Sequence, residues 1–281
     1  MRKPTDKYRD LLVKANVISE EDKFVIDPNN KILSELDDVI LLQQGSVNWN
    51  DWSNYSRSKI RFAITPNIHI FKELISKRLK TFLLEFPIED HFKKTTNWNE
   101  REDAVYYHGR IIPGKLNIEE LEKISSAGIK IVARGPVCKQ YWQDENLEDK
   151  KFIDFKDRFM KLVDEGKILL FSVASEEKAM IYDLNRYKFY FTLSSGEAFN
   201  LALEEAIACG TIPIVRSSGA YWWADHLLVN FKNVDRLIKA FHQYKKEDLD
   251  EYSNLIANEI KKRCSLEAIK EKFEYQKEHA I

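Results

Sequence analysis

The run from Lys188 to Arg216, KFYFTLSSGEAFNLALEEAIACGTIPIVR, constrains this chain more tightly than any other. Lys188–Leu193 is a compact β-branched and aromatic run of the kind that fills a buried strand. Ser194, Ser195 and Gly196 break it. Apolar residues at helical spacing begin at Ala198 and continue through Leu201, Leu203, Ala206 and Ile207, and Cys209-Gly210 stops them where a C-terminal glycine is expected. Thr211–Val215 is the next strand. A strand–turn–helix–strand unit with a right-handed crossover is the building block of a parallel α/β sheet.

Two carboxylates in this unit carry chemical interest. Glu197 falls in the turn at the helix mouth and Glu205 inside the helix. A helix mouth presents free N–H groups and the positive end of the dipole, which suits phosphate or sugar hydroxyls, and a carboxylate there accepts hydroxyl hydrogen bonds. On spacing alone the plainer account is that Glu197 stabilises the dipole from the first turn and Glu205 is a solvated helix position.

The residues Glu197-Ala198-Phe199-Asn200-Leu201, with Glu205-Ala206-Ile207-Ala208-Cys209-Gly210-Thr211-Ile212-Pro213 after them, resemble the E-x7-E segment of retaining glycosyltransferases of the GT-B fold (family-four-like). The resemblance implies that Glu197 holds donor-sugar hydroxyls and Glu205 the nucleotide ribose. Upstream, Val105–Ile112 followed by Pro113-Gly114-Lys115 is similar to the strand and G-R-x-x-P-x-K of that family, which implies that Gly109, Arg110 and Lys115 meet the donor diphosphate. Fixed cations stabilise a leaving diphosphate without a metal. Ala133-Arg134-Gly135-Pro136 resembles the intervening G-x-G-P turn, and Phe171–Ser175 stands where the family's loop meets the nucleobase, making Val173 a candidate. The donor-side set thus also takes in Ala198, Phe199, Asn200 and Leu201, and the implied catalytic residues are Arg110, Lys115 and Glu197. The sequence departs from the family in one place: its E-G-F-G is here Glu197-Ala198-Phe199-Asn200, which points to a different or smaller sugar such as a pentose.

The implied fold is α/β and GT-B-like, two Rossmann-like domains with the first reduced. The domains expected are residues 1–103 on the acceptor side, 104–230 for the nucleotide sugar, and 231–281 as helices packing back across them. In the second domain strands are expected near Val105–Tyr107, Ile129–Val132, Ile168–Phe171, Phe189–Leu193 and Ile212–Val215, with helices at Ile118–Ser126, Phe155–Asp164, Glu176–Leu184 and Leu201–Cys209. In the first, strands are expected at Lys23–Asp27, Asp38–Gln43, Arg61–Thr65 and Thr81–Phe86, and helices at Tyr8–Ala15, Lys31–Leu36 and Ile70–Leu79. Gly45 is the one glycine of the first hundred residues, so the glycine-rich loop that faces the donor phosphates in the family has no counterpart. A second copy of the chain completing the cleft is therefore an expectation.

Between Trp52 and Lys80 the cations Arg57, Lys59, Arg61, Lys72, Lys77, Arg78 and Lys80 face a single acid, Glu73, with Trp49, Trp52 and Tyr55 leading in. Cations interleaved with aromatics suit phosphate contact and base stacking, while a solvated basic face around a small core is the bland account. Trp52, Arg57, Lys59, His69 and His108 are the acceptor-side candidates. His91, His226, His242 and His279 have no constellation.

Composition excludes more than it assigns. With 44 basic and 45 acidic residues there is no global basic field. Cys138, Cys209 and Cys264 are isolated, which speaks against a disulfide framework or a zinc site and fits a reducing compartment. No signal peptide or spanning run is read, so a cytoplasmic protein (host cytoplasm if phage-encoded) is expected. The resemblance implies a nucleotide-sugar co-substrate, a UDP-sugar, and no metal. The leading acceptor is a hydroxymethylated pyrimidine in phage-type double-stranded DNA. The alternatives are a lipopolysaccharide or capsule glycan, and a non-catalytic nucleotide-sugar-binding protein.

Overall fold

Strands such as Val39–Leu42 and Tyr187–Thr192 carry no polar alternation and are buried on both faces, the signature of parallel sheets covered by helices. The computed structural model describes residues 4–26, 37–43, 58–138, 149–172, 177–194, 200–216 and 224–279. The chain divides into two compact units, residues 1–90 with 260–281, and residues 91–259.

The first unit holds a four-stranded parallel sheet in the order β1 (Phe24–Ile26), β2 (Val39–Leu42), β3 (Ile60–Thr65), β4 (Thr81–Leu83). Val39, Leu41, Ala63, Ile70 and Leu74 lie in its core. The helix Ile68–Ser76 starts where Asn67 caps it, its side chain accepting from the His69 and Ile70 amides. It stops short of the expected Leu79, and Arg78 follows with φ 61°. The last helix, Leu266–His279, lays Phe273 against Phe82 with centroids 4.8 Å apart. Its Gln276 amide accepts from and donates to Leu83, both at 2.9 Å, and so occupies the open edge of β4. Glu85, 1% exposed, is paired with Arg263 at 2.8 Å and with Lys272. The expected helix over Lys31–Leu36 lies outside the described residues.

The second unit has a six-stranded parallel sheet in the order β7-β6-β5-β8-β9-β10. These strands are β5 (Glu102–His108), β6 (Lys130–Arg134), β7 (Ile168–Phe171), β8 (Tyr187–Thr192), β9 (Ile212–Arg216) and β10 (Val229–Phe231). Only β10 has no sequence signal; it is three residues at the sheet edge. Intervening helices run over Ile118–Ser126, Asp149–Asp164, Glu177–Arg186, Leu201–Ala208 and Val234–Tyr244. Asn117, Asn200 and Asn233 each cap one by accepting a backbone amide at 3.0–3.1 Å. The chain enters at β5, winds outward to β7, returns to β8 and winds outward the other way. The strand order therefore reverses between β5 and β8, and ligands of doubly wound sheets bind outside the carboxyl ends at such a point.

The chain passes into this unit earlier than the boundary at 103 drawn from the sequence. Trp98 is fully buried; its indole donates to Glu247 O at 2.9 Å, its amide to Asp250 at 2.7 Å, and its ring meets Phe189 edge-on. Arg101, 4% exposed, donates to Leu184 O at 3.0 Å and Cys209 O at 2.6 Å, near the C-terminal ends of two helices, where the dipoles favour a cation. Burial lowers its pKa to about 10, so it stays charged at neutral pH. Among the described residues no helix is long and apolar enough to cross a membrane.

Candidate functional site

Both stretches singled out in the sequence end at the switch point. β5 and β8 are paired in parallel, with Tyr106 opposite Tyr190, so the segments following His108 and Thr192 leave the sheet side by side, one strand spacing of about 4.8 Å apart.

The segment after β5 is a built turn. The Tyr107 hydroxyl donates to Arg110 O at 2.8 Å. The Gly109 amide donates to Arg134 O at 3.1 Å, and the Ile111 amide to Pro136 O at 3.0 Å, tying this turn to the one after β6. The two turns touch at backbone level: a Cβ on Gly135 would lie 1.8 Å from Gly109 O, and φ is +150° at Gly135. Glycine at 135 is thus a requirement of contact as well as of conformation. Ile111 and Ile112 then bury, and the amides of Lys115 and Leu116 both donate to Ile112 O. Gly109, Arg110, Lys115 and His108 are half-buried along this segment.

Beyond it, Arg134 at the end of β6 pairs with Asp183 at 2.6 Å, donates to Ser172 O at 3.1 Å and lies over the Phe171 ring at 4.8 Å. Burial opposes the Arg134 charge, but Asp183, itself 2% exposed, outweighs it and raises the pKa. The amide of Gly135 donates to Phe171 O at 3.2 Å. The carboxyl ends of β5, β6 and β7 are in this way laced together by main-chain groups and one guanidinium.

On the other side of the switch point Asn200 caps the helix Leu201–Ala208, its Oδ1 accepting from Leu203 N at 3.1 Å. Glu205 is 4% exposed and Glu204 0%. The solvated position that spacing alone allowed for Glu205 is therefore corrected: from Leu203 on this helix is buried on every side. Sequence reasoning misses Glu204, although a helix that is apolar all round signals that its acids are covered too. At the end of β9, Arg216 pairs with Glu120 and lies over Phe231 at 5.6 Å.

The structure therefore brings Gly109, Arg110, Lys115 and His108 to the end of the sheet after which the helix that Asn200 caps, carrying Leu201 and Glu205, begins. Val173, Glu197, Ala198 and Phe199 lie outside the described residues, as do Trp52 and Arg57. Lys59 and His69 belong to the first unit. Lys59 pairs with Asp37 at 3.1 Å, and His69 is exposed in the first turn of its helix. Arg61, counted among the basic residues of that segment, is engaged by Asp38 and Asp22, each at 2.7 Å.

No family model matches the sequence, and no curated protein does. The fold has clear likenesses among solved structures. Anabaena HepE in complex with UDP and glucose aligns with TM-score 0.68 at 11% identity over 96% of this chain and 81% of that one. The pneumococcal O-GlcNAc transferase GtfA in complex with UDP and GlcNAc aligns with TM-score 0.58 at 16% identity, over 95% of this chain and 58% of its own. The lipopolysaccharide outer core galactosyltransferase WaaB aligns with TM-score 0.58 at 11% identity, over 99% and 81%. With two parallel α/β sheets and these likenesses, the chain has the GT-B fold of glycosyltransferases.

Proposed function

We propose that this chain is a retaining glycosyltransferase that moves a sugar from a UDP-sugar to an acceptor hydroxyl. One observation carries the reading. The G-R-x-x-P-x-K-like segment and the E-x7-E-like helix, far apart in sequence, follow adjacent parallel strands at the switch point. The UDP and sugars named with the fold's likenesses support the donor class.

In this reading Arg110 and Lys115 hold the diphosphate, Glu197 the sugar hydroxyls and Glu205 the ribose. A hydroxyl hydrogen bond to a carboxylate as dry as Glu205 is worth more than one in water. The acceptor oxygen forms its bond to the anomeric carbon on the face from which the diphosphate departs. The carbon–phosphate-oxygen bond breaks, and a donor phosphate oxygen takes the acceptor proton. The two cations stabilise the charge that develops on the leaving group, so no metal is needed. Transfer is expected to persist in excess EDTA, and its loss there overturns the metal-free reading.

Of the acceptors, a glycan hydroxyl is favoured over a hydroxymethylated base in DNA. Lys59 and Arg61, part of the basic segment on which the DNA reading rests, already answer Asp37, Asp38 and Asp22, and the likeness to WaaB points to a surface glycan. The test is incubation with a panel of UDP-sugars and, separately, hydroxymethylcytosine DNA, plain DNA and a lipid-linked glycan, with products weighed by mass spectrometry and the anomer read by NMR. Transfer to glycan with retained configuration, abolished in Glu197→Ala, is expected. A mass increment on modified DNA alone reinstates the DNA acceptor. An inverted anomer overturns retention, and UDP-sugar binding without turnover on any acceptor leaves a binding protein.

A further inference from the structure

We infer that Tyr107 is a positioning residue that holds Arg110 ready for the donor diphosphate, an inference that rests on the transferase reading above. Tyr106 and Tyr107, near the end of β5, lie on opposite faces of the sheet. Tyr106 stacks on Tyr187, while Tyr107, 5% exposed, leans on Phe191 with centroids 6.0 Å apart. Phenylalanine fills such a place as well, so the hydroxyl is there for its bond. That bond goes three residues along the chain to Arg110 O, at 2.8 Å.

The consequences fall on one residue. The amide before Arg110 is fixed by Arg134 O and the amide after it by Pro136 O. The Arg110 carbonyl lies between those two amides, and Tyr107 takes it. Gly109 completes the enclosure, since a Cβ there would stand 3.0 Å from the Tyr107 oxygen. The backbone from which the Arg110 side chain departs is thereby set before any ligand arrives. A cation preorganised in this way stabilises a leaving diphosphate without first paying for its own ordering. In this role Tyr107 acts through Arg110.

The experiment is Tyr107→Phe, alone and in an Arg110→Ala background, read by sugar transfer, by calorimetric binding of UDP and of uridine, and by thermal unfolding. The single variant should melt within a few degrees of wild type and lose about fivefold in kcat/KM and in UDP affinity, the equivalent of about 1 kcal/mol for one hydrogen bond. Uridine, which has no phosphate, should bind unchanged, and in the Arg110→Ala background the substitution should add nothing. Equal weakening of UDP and uridine, a full loss on top of Arg110→Ala, or no loss at all overturns the inference while the transferase reading stands. Wild-type protein that binds no UDP overturns both.

Discussion

Replacing Gly135 by alanine tests whether the contact between the turns after β5 and β6 is as hard as its geometry says. The new Cβ would sit 1.8 Å from Gly109 O, against the 3.4 Å where ordinary contact begins, so the turns must separate by roughly 1.6 Å. At φ +150° alanine also carries a conformational cost of about 1–3 kcal/mol. Separation strains the bonds from the Gly109 amide to Arg134 O and from the Ile111 amide to Pro136 O, each worth about 1 kcal/mol net. A combined loss of about 3–5 kcal/mol corresponds to roughly 6–20 °C in Tm at about 2–4 °C per kcal/mol. The assay is differential scanning calorimetry with and without UDP, using Gly114→Ala as the control. Gly114 has φ +93°, but a Cβ there would find no atom within 4 Å, so only the conformational cost of about 1 kcal/mol, about 3 °C, applies. A Gly135→Ala protein that melts no lower than Gly114→Ala, or that keeps wild-type affinity for UDP, would refute the hard contact.

Two further outcomes follow from named contacts. Asn200→Ala removes the acceptor that caps Leu201–Ala208 and should cost about 1 kcal/mol, seen as a fall of about 2–4 °C in Tm; an unchanged melting point would show that the cap contributes nothing. Asp250 has its pKa held below 3.8, first by Lys94 at 2.7 Å and then by the Trp98 amide. A depressed carboxylate contributes stability above its unfolded pKa and loses it as the pH falls through the folded one. The Tm gap between wild type and Asp250→Asn should therefore be full above about pH 5 and close below pH 3.8; a gap that widens on acidification would contradict the assignment.

Much of the fold is legible because its elements are locally consistent. Ile118–Ser126 is bounded correctly at both ends, since Asn117 and the Ala127-Gly128 stop are chemical signals that need no tertiary context. The β8–β9 unit is read from two unbroken apolar runs and a glycine. Less legible are the features set by partners distant in sequence. β10 is three residues long and exists because β9 offers it a free edge. Residues 91–101 carry no pattern of their own and take their place from Trp98 and Arg101, whose partners lie at Leu184, Cys209, Glu247 and Asp250. Charge counts mislead in the segment before Lys80, because a run of cations does not reveal that Asp22, Asp37 and Asp38 answer two of them.

The sequence by itself determined the alternation of strands and helices and which residues stand at the ends of β5 and β8. Period, cap and glycine act over a few residues and are written in the local chain. Tertiary structure alone decided the strand order, which sets β5 beside β8 and so brings two distant segments to one end of the sheet. It also decided that Gly135 presses on Gly109, that the Tyr107 hydroxyl meets the Arg110 carbonyl, and that Glu204 and Glu205 are dry. Those depend on which surfaces the packed sheet brings within contact distance, and a single strand or helix carries no record of what will be laid against it.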